Sequence, residues 1–480
     1  MAAPSPTVGE MLDLVGRTWE RDILPALADY IAIPALSPSF EPAWEELGHI
    51  EAAVEHVRAW MASRPINGLT VDVHRIPGLT PVVVAVVEAS PGVDTDDTVL
   101  LYGHLDKQPP MDGWLDGLGP FTPVRRGDLL YGRGGADDGY SGFAALAAIE
   151  AVQAAGGSHG RCVVLIEGSE ESGSPHLQAH VEALAARIGE PSLVVCLDSG
   201  CATYDRLWVT TSLRGLVGAV LRVQVLGEGM HSGAAGGVVP SSFRLVRQLL
   251  DRIEDARTGA LLVDALHAEP PPDRVRELAA TAAELGADAV GRFPVVDGLV
   301  LQPGDDHEAA LRAQTWEPSL SIVGAAGLPA IEQAGNVQRT HTSLKLSFRL
   351  PPTVDPATAA EAVRTALVAD PPNGAAVTLD VEELGAGWNA PAFEPWLADA
   401  LDAASDAAFG QGFHTMGEGG SIPFMAMLGE RFPRAQFVVT GVLGPGSNAH
   451  GPNEFLHVPC AVAVTTAVAQ VLGAHAGRPR

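Results

Sequence analysis

Two hydrophobic periods alternate along the N-terminal part of this chain. Residues 8 to 32 place Met11, Leu12, Val15, Trp19, Ile23, Leu24 and Leu27 at helical spacing, and a second amphipathic run covers about Trp44 to Met61. Both predict helices laid over a sheet. Leu69–His74, Pro81–Val87 and Thr98–Tyr102 are short and rich in β-branched residues, which predicts strands. Pro109 to Gly132 is rich in Pro, Gly and Asp and predicts an irregular loop, followed by the turn GRGGADDGY. Helical spacing returns over Gly142–Ala155 with Phe143, Leu146, Ile149 and Val152, so Asp137 and Asp138 fall at or just before a helix start. Cys162 to Ile166 is continuously apolar, the pattern of a strand buried on both faces. A helix near 177–188 then leads to another apolar strand, Ser192–Leu197. Strands and helices in this alternation predict an α/β fold built on a mostly parallel sheet.

The texture changes near Leu213. Gly215–Leu226, a helix near 241–254, Ser319–Val323, Arg339–Leu350, a helix near 356–368 and Ala376–Val381 give the order β-α-β-β-α-β, the split βαβ arrangement. Leu344, Leu346, Phe348 and Leu350 alternate with Ser343, Lys345, Ser347 and Arg349, as on a sheet with one face exposed. Residues 255–316 interrupt this unit with helical sequence rich in Ala, Glu and Pro. From 385 the first texture resumes, with a helix near 394–408, a strand Phe437–Val442 and a loop carrying His450. The pattern predicts one domain inserted in another: 1–212, 213–384 and 385–480.

Composition narrows the function. A chain of 480 residues, 46% of them apolar, can bury the core of two or three domains. Lys and Arg number 30 against 58 Asp and Glu, a formal charge of −28, which disfavours nucleic acid as a partner. Cys162, Cys196, Cys201 and Cys460 show no CxxC spacing, as expected in a reducing cytoplasm. No basic and apolar leader opens the sequence and no run of 18 apolar residues occurs, so neither export nor a membrane is expected.

The candidate chemistry lies where strands end. CVVLIEGSEESGS (Cys162–Ser174) closes an apolar run with Glu170 and Glu171, and other strands lead to His104, Asp198 and His450, with Asp137 joining from a helix start. Singly, each has an ordinary structural role as cap, turn or core residue. Together, at the sheet edge where open α/β folds bind ligands, they form a mixed N/O donor set without thiolate, suited to Zn²⁺ or Mn²⁺. A carboxylate bridging two such ions permits two-metal hydrolysis. Gly156–Gly160 matches G-x-S-x-G, but the serine-hydrolase elbow needs a strand before it and a helix after it, and here the order is reversed.

At GHLD (103–106), PPMDGW (109–114), LYGRGGADD (130–138), EGSEESGS (167–174), HSGAAGG (231–237), EGGSIP (418–423) and NAHGPNE (448–454) the chain resembles the M20 family of co-catalytic metallopeptidases, and its dipeptidase and carnosinase-like branch in particular. The resemblance implies a zinc-peptidase catalytic domain with an inserted ferredoxin-like lid and dimerisation domain. It implies two metal ions, one on His104, Asp137 and Asp198 and one on Asp137, Glu171 and His450. Glu170 would be the general base and Asp106 would orient His104. His231 would stabilise the oxyanion in the partner subunit's site of a homodimer. Arg349 would clamp a substrate carboxylate, with Asn336 and Ser421 contacting substrate. The implied reaction is hydrolysis of dipeptides with a free C-terminal carboxylate; an N-acyl amino acid deacylase would use the same centre. Two departures stand out. Gly139-Tyr140 occupies the place of the family's usual Lys-Gly, and GAGWNAP (385–391) lacks a histidine found in some dipeptidases.

Overall fold

The computed structural model describes residues 8–95, 97–291 and 293–479. Its internal contacts define two compact units, one comprising the chain up to Thr210 with Ala390–Thr415 and the residues from Met427 onward, the other Thr211–Asn389 with Met416–Ala426.

The first unit is built on a sheet whose strands lie in the order Leu69–His74, Val82–Val87, Arg161–Glu167, Thr98–His104, Pro191–Cys196, Gln436–Val439 and Trp208–Leu213. The four from Arg161–Glu167 to Gln436–Val439 are parallel, with antiparallel strands on both flanks. Every residue of Val82–Val87 and Thr98–His104 is buried, which is why these runs are continuously apolar rather than alternating. Helix Ser141–Ala154 is apolar all round and packs against Val458–Gly477. The latter is long and apolar enough to cross a membrane, but 72% of its apolar window is buried in the fold, as in a core helix.

Several elements differ from the expectation. The long N-terminal helix is Val8–Thr18, a π-turn at Trp19–Ile23, and Leu24–Ile31, where Pro25 cannot donate to the helical ladder. The run from Trp44 divides at Gly48, whose φ of +70° ends one short helix before His49–Ala62 begins. The helix expected near 177–188 is Leu177–Ala183 followed by Ala185–Ile188. Within the expected irregular loop, Val124–Arg126 and Leu129–Tyr131 form a hairpin that pairs with Phe455–His457. Strands of three residues are too short to show a period.

The second unit holds an antiparallel sheet in the order Ser319–Ala326, His341–Leu350, Gly215–Gln224 and Ala376–Gly385. One face carries Val217, Leu221, Leu346 and Phe348 against Leu245 and Leu249 of helix Ser242–Leu250 and Val363 and Leu367 of helix Pro356–Val368. Asp355 caps the latter by accepting the Thr358 N–H, with Pro356 in its first turn. The helical insertion forms Pro272–Leu285, Asp288–Gly291 and His307–Thr315, which share a small core of Leu278, Ala289, Leu311 and Trp316.

Candidate metal centre

His104 is the last residue of its strand and is fully buried. Gly103 before it leaves room for Asp138, whose Oδ2 accepts the His104 N–H at 3.2 Å; a Cβ at Gly103 would meet Ser141 Oγ at 1.9 Å. Glu170 and Glu171 lie past the end of their own strand, in a 3₁₀ turn, Glu170–Ser172. Buried Asp106 fixes that turn, its two oxygens each accepting one N–H, from Glu170 and from Glu171, at 3.0 Å. His104 Nδ1 bonds the Asp106 backbone carbonyl at 3.2 Å, with Asp106 Oδ1 3.5 Å away, so one residue sets both the imidazole and the paired glutamates. Asp198 follows the strand Pro191–Cys196, and His450 sits in the loop between Val439 and Phe455 rather than at a strand end.

Asp137 joins these groups. Its Oδ1 is 3.3 Å from His104 Nε2, while its Oδ2 is 3.0 Å from His450 Nε2. Asp198 and Glu170 lie 3.8 and 3.9 Å from His104 Nε2, and Glu171 lies 3.2 Å from His450 Nε2. Possible ligand atoms of His104, Glu170 and Asp198 fall within 4.8 Å of one another, as do those of His104, Asp137 and Glu171. The two groups have His104 in common, and Asp137 faces His104 with one oxygen and His450 with the other.

The electrostatics favour added positive charge. Burial pulls His104 down, but Asp198, Asp106 and Asp137 outweigh it and hold the imidazolium well above its ordinary range. Burial likewise opposes His450, yet Asp137 and Glu171 push it up to about 11. Glu170 is raised by burial and then by the charge of Asp198, and Glu171 by burial and Asp137. Asp137 stays below the usual carboxylate range because the two imidazoles beside it overcome the cost of burial. His104 Nε2 is buried without a hydrogen-bond partner. An unsatisfied imidazole nitrogen among clustered carboxylates fits divalent cations, and the N/O donor set fits Zn²⁺ or Mn²⁺.

Three supports were not legible from motifs. Gln108 Nε2 donates to Glu171 Oε2 at 2.6 Å, fixing the orientation of that carboxylate. Tyr30 and Tyr140 each donate a buried hydroxyl to the carbonyl that precedes an aspartate of the site, Tyr30 to Leu105 at 2.8 Å and Tyr140 to Leu197 at 2.6 Å. The departure at Gly139-Tyr140 thereby acquires a reason: a Cβ at 139 would meet the Tyr30 ring at 2.1 Å, and the Tyr140 phenol braces the backbone entering Asp198.

Within the second unit the other candidates fall into two pairs. Met230–His231 pairs with Val337–Gln338, and the Ser232 N–H bonds Asn336 O at 2.8 Å, so exposed His231 and Asn336 share one ribbon. Arg349 Nη1 donates to Ser421 Oγ at 3.0 Å, and Ser421 donates to Arg214 O at 2.6 Å. Arg214, absent from the expected set, holds Gly419 O with its own guanidinium at 3.1 Å. Burial first, then the charge of Arg349, brings Arg214 down to about 10.

Clustered imidazole and carboxylate donors at the carboxyl edge of a parallel sheet are the equipment of a metal-dependent hydrolase. The profile of Peptidase family M20/M25/M40 matches residues 100–474, and the chain belongs to that family of metal-dependent peptidases. A cysteinylglycine-S-conjugate dipeptidase of Corynebacterium striatum is 26% identical over 453 residues, 89% of this chain and 95% of that protein. Among solved structures, the di-peptidase Dug1p of Saccharomyces cerevisiae aligns with a TM-score of 0.79 at 22% identity, covering 99% of this chain and 100% of that one. Human carnosine dipeptidase 1 aligns with a TM-score of 0.77 at 21% identity, again covering 99% and 100%.

Proposed function

We propose that the protein is a cytoplasmic dipeptidase that cleaves dipeptides bearing a free C-terminal carboxylate, at a centre of two Zn²⁺ or Mn²⁺ ions, and that it works as a homodimer. The observation that carries the reading is Asp137, with one oxygen turned to each of two imidazoles. His104, Asp137 and Asp198 would hold one ion and Asp137, Glu171 and His450 the other. Bound there, the ions would polarise the scissile carbonyl and acidify the attacking water. Glu170 takes the water's proton and returns it to the leaving amine. Arg349, oriented by Ser421, grips the substrate carboxylate through paired hydrogen bonds. Asn336 and His231 share a ribbon, and His231 of the opposite protomer stabilises the developing oxyanion. The four cysteines are buried thiols, in keeping with a reducing compartment.

The test is kcat/KM for a dipeptide, its C-terminal amide, its N-acetyl form and a tripeptide, on the parent and on Arg349→Ala. The free dipeptide should be the fastest substrate, and loss of the clamp should cost on the order of 2–5 kcal/mol. Faster cleavage of N-acyl amino acids would make the protein a deacylase, and equal rates for acid and amide would remove Arg349 from its role.

A further inference from the structure

Two charged side chains outside the donor set, Arg133 and Glu454, are 1% and 0% exposed and 321 residues apart in the sequence. Arg133 Nη1 meets Glu454 Oε2 at 2.5 Å, and Glu454 Oε1 accepts the Gly134 N–H at 2.9 Å. The same guanidinium reaches Gly451 O at 2.9 Å, next to His450, and Pro109 O at 3.2 Å. One fork of donors therefore ties together the segment after GHLD, the turn that bears Asp137 and the loop that bears His450. Only a guanidinium has the number and spread of donors to do so.

The two ends of this tie are not equally dependent on it. Asp137 lies in a turn, Gly135–Tyr140, whose residues are all buried and which leads directly into helix Ser141–Ala154. His450 sits on an outer loop with its side chain 56% exposed. Its φ is +64°, and Asn448 and Asn453 in the same loop have φ of +55° and +63°, conformations that cost energy for residues with a side chain. Such a loop keeps its shape only where its surroundings determine it, and Arg133 is a buried side chain that bonds inside it.

We infer that Arg133 and Glu454 are positioning residues that set His450, so that the metal position made with His450 depends on them while the position made with His104 and Asp198 does not. The inference rests on the two-metal reading. The pair acts on backbone: Arg133 holds Gly451 O, and Glu454 holds Arg133 and Gly134 in the posture that allows it.

The experiment is equilibrium dialysis of the full chain against Zn²⁺, with metal per folded subunit counted by elemental analysis. It compares the parent, Glu454→Gln, and the double variant Arg133→Met/Glu454→Gln, which avoids stranding one buried charge. Far-ultraviolet circular dichroism confirms the folded fraction. The parent should bind two Zn²⁺ per subunit. Each variant should keep one at parent affinity and bind the other about 10- to 100-fold more weakly. Two ions at parent affinity in the double variant would overturn the inference, as would loss of both together from folded protein. A parent binding a single Zn²⁺ would instead overturn the two-metal reading on which it rests.

Discussion

Asp106 and Glu170 show how much a single side chain is asked to do. Asp106 carries no candidate ligand atom, yet its carboxylate holds both glutamate amides and lies beside the His104 ring, so Asp106→Ala should disturb the paired glutamates first. The adjacent glutamates divide more sharply. Glu170→Gln should retain metal and lose about 10²- to 10⁴-fold or more in kcat, whereas Glu171→Gln should lose metal. Elemental analysis alongside single-substrate kinetics separates them, and full kcat in Glu170→Gln would rule Glu170 out as base. Tyr140→Phe leaves the Leu197 carbonyl without its phenol, a loss of about 1–3 kcal/mol in urea unfolding for a buried acceptor left unpaired. At this scale the sequence was readable where a residue stands at the end of an apolar run, as His104 and Asp198 do. Gln108, Arg214 and Tyr140 act through bonds to distant segments, which no local pattern encodes.

Elements were legible when their hydrophobic pattern was long enough to have a period. The parallel strands and the β-α-β-β-α-β order met that condition, and the three-residue strands Val124–Arg126, Leu129–Tyr131 and Phe455–His457 did not. Yet this small sheet brings the His450 and Asp137 segments side by side, since Gly132 N bonds Glu454 O at 3.0 Å just beyond the last pair. Helix Leu177–Ala183, which follows the glutamate turn, is fastened by imidazoles. Buried His180 bonds Thr80 O through Nε2 and His74 Nδ1 through Nδ1, both at 2.9 Å, while His176 Nδ1 accepts from Thr80 N at 3.1 Å. Burial, chiefly, lowers His180 from 6.5 to about 4. The unfolded chain therefore takes up this proton more readily, and the contribution to stability is complete above 6.5 and lost as pH falls toward 4. Urea midpoints between pH 7 and 5 should fall more steeply for the parent than for His180→Asn; parallel slopes would remove His180 from the account.

For the whole molecule, internal contacts begin the second unit at Thr211 and return Met416–Ala426 to it, and that return is not legible in the sequence, because a segment of this length has no composition of its own. Activity in trans predicts that mixing inactive His231→Ala with inactive Glu170→Gln restores turnover, since a mixed dimer owns one intact composite site; no recovery after proven subunit exchange would count against it. Chelation should lower the melting temperature by removing ions that bind the folded chain alone, and added Zn²⁺ should restore it in proportion to the logarithm of its concentration. The tie between Arg133 and Glu454 also has a bearing on synthesis. The two residues leave the ribosome 321 positions apart, which at roughly 5–20 residues per second is an interval of about 16–64 s. Through most of that interval the nascent polypeptide carries His104, Asp137 and the paired glutamates without His450, so on the proposed two-metal reading a newly made chain lacks a complete centre until translation is almost past position 450.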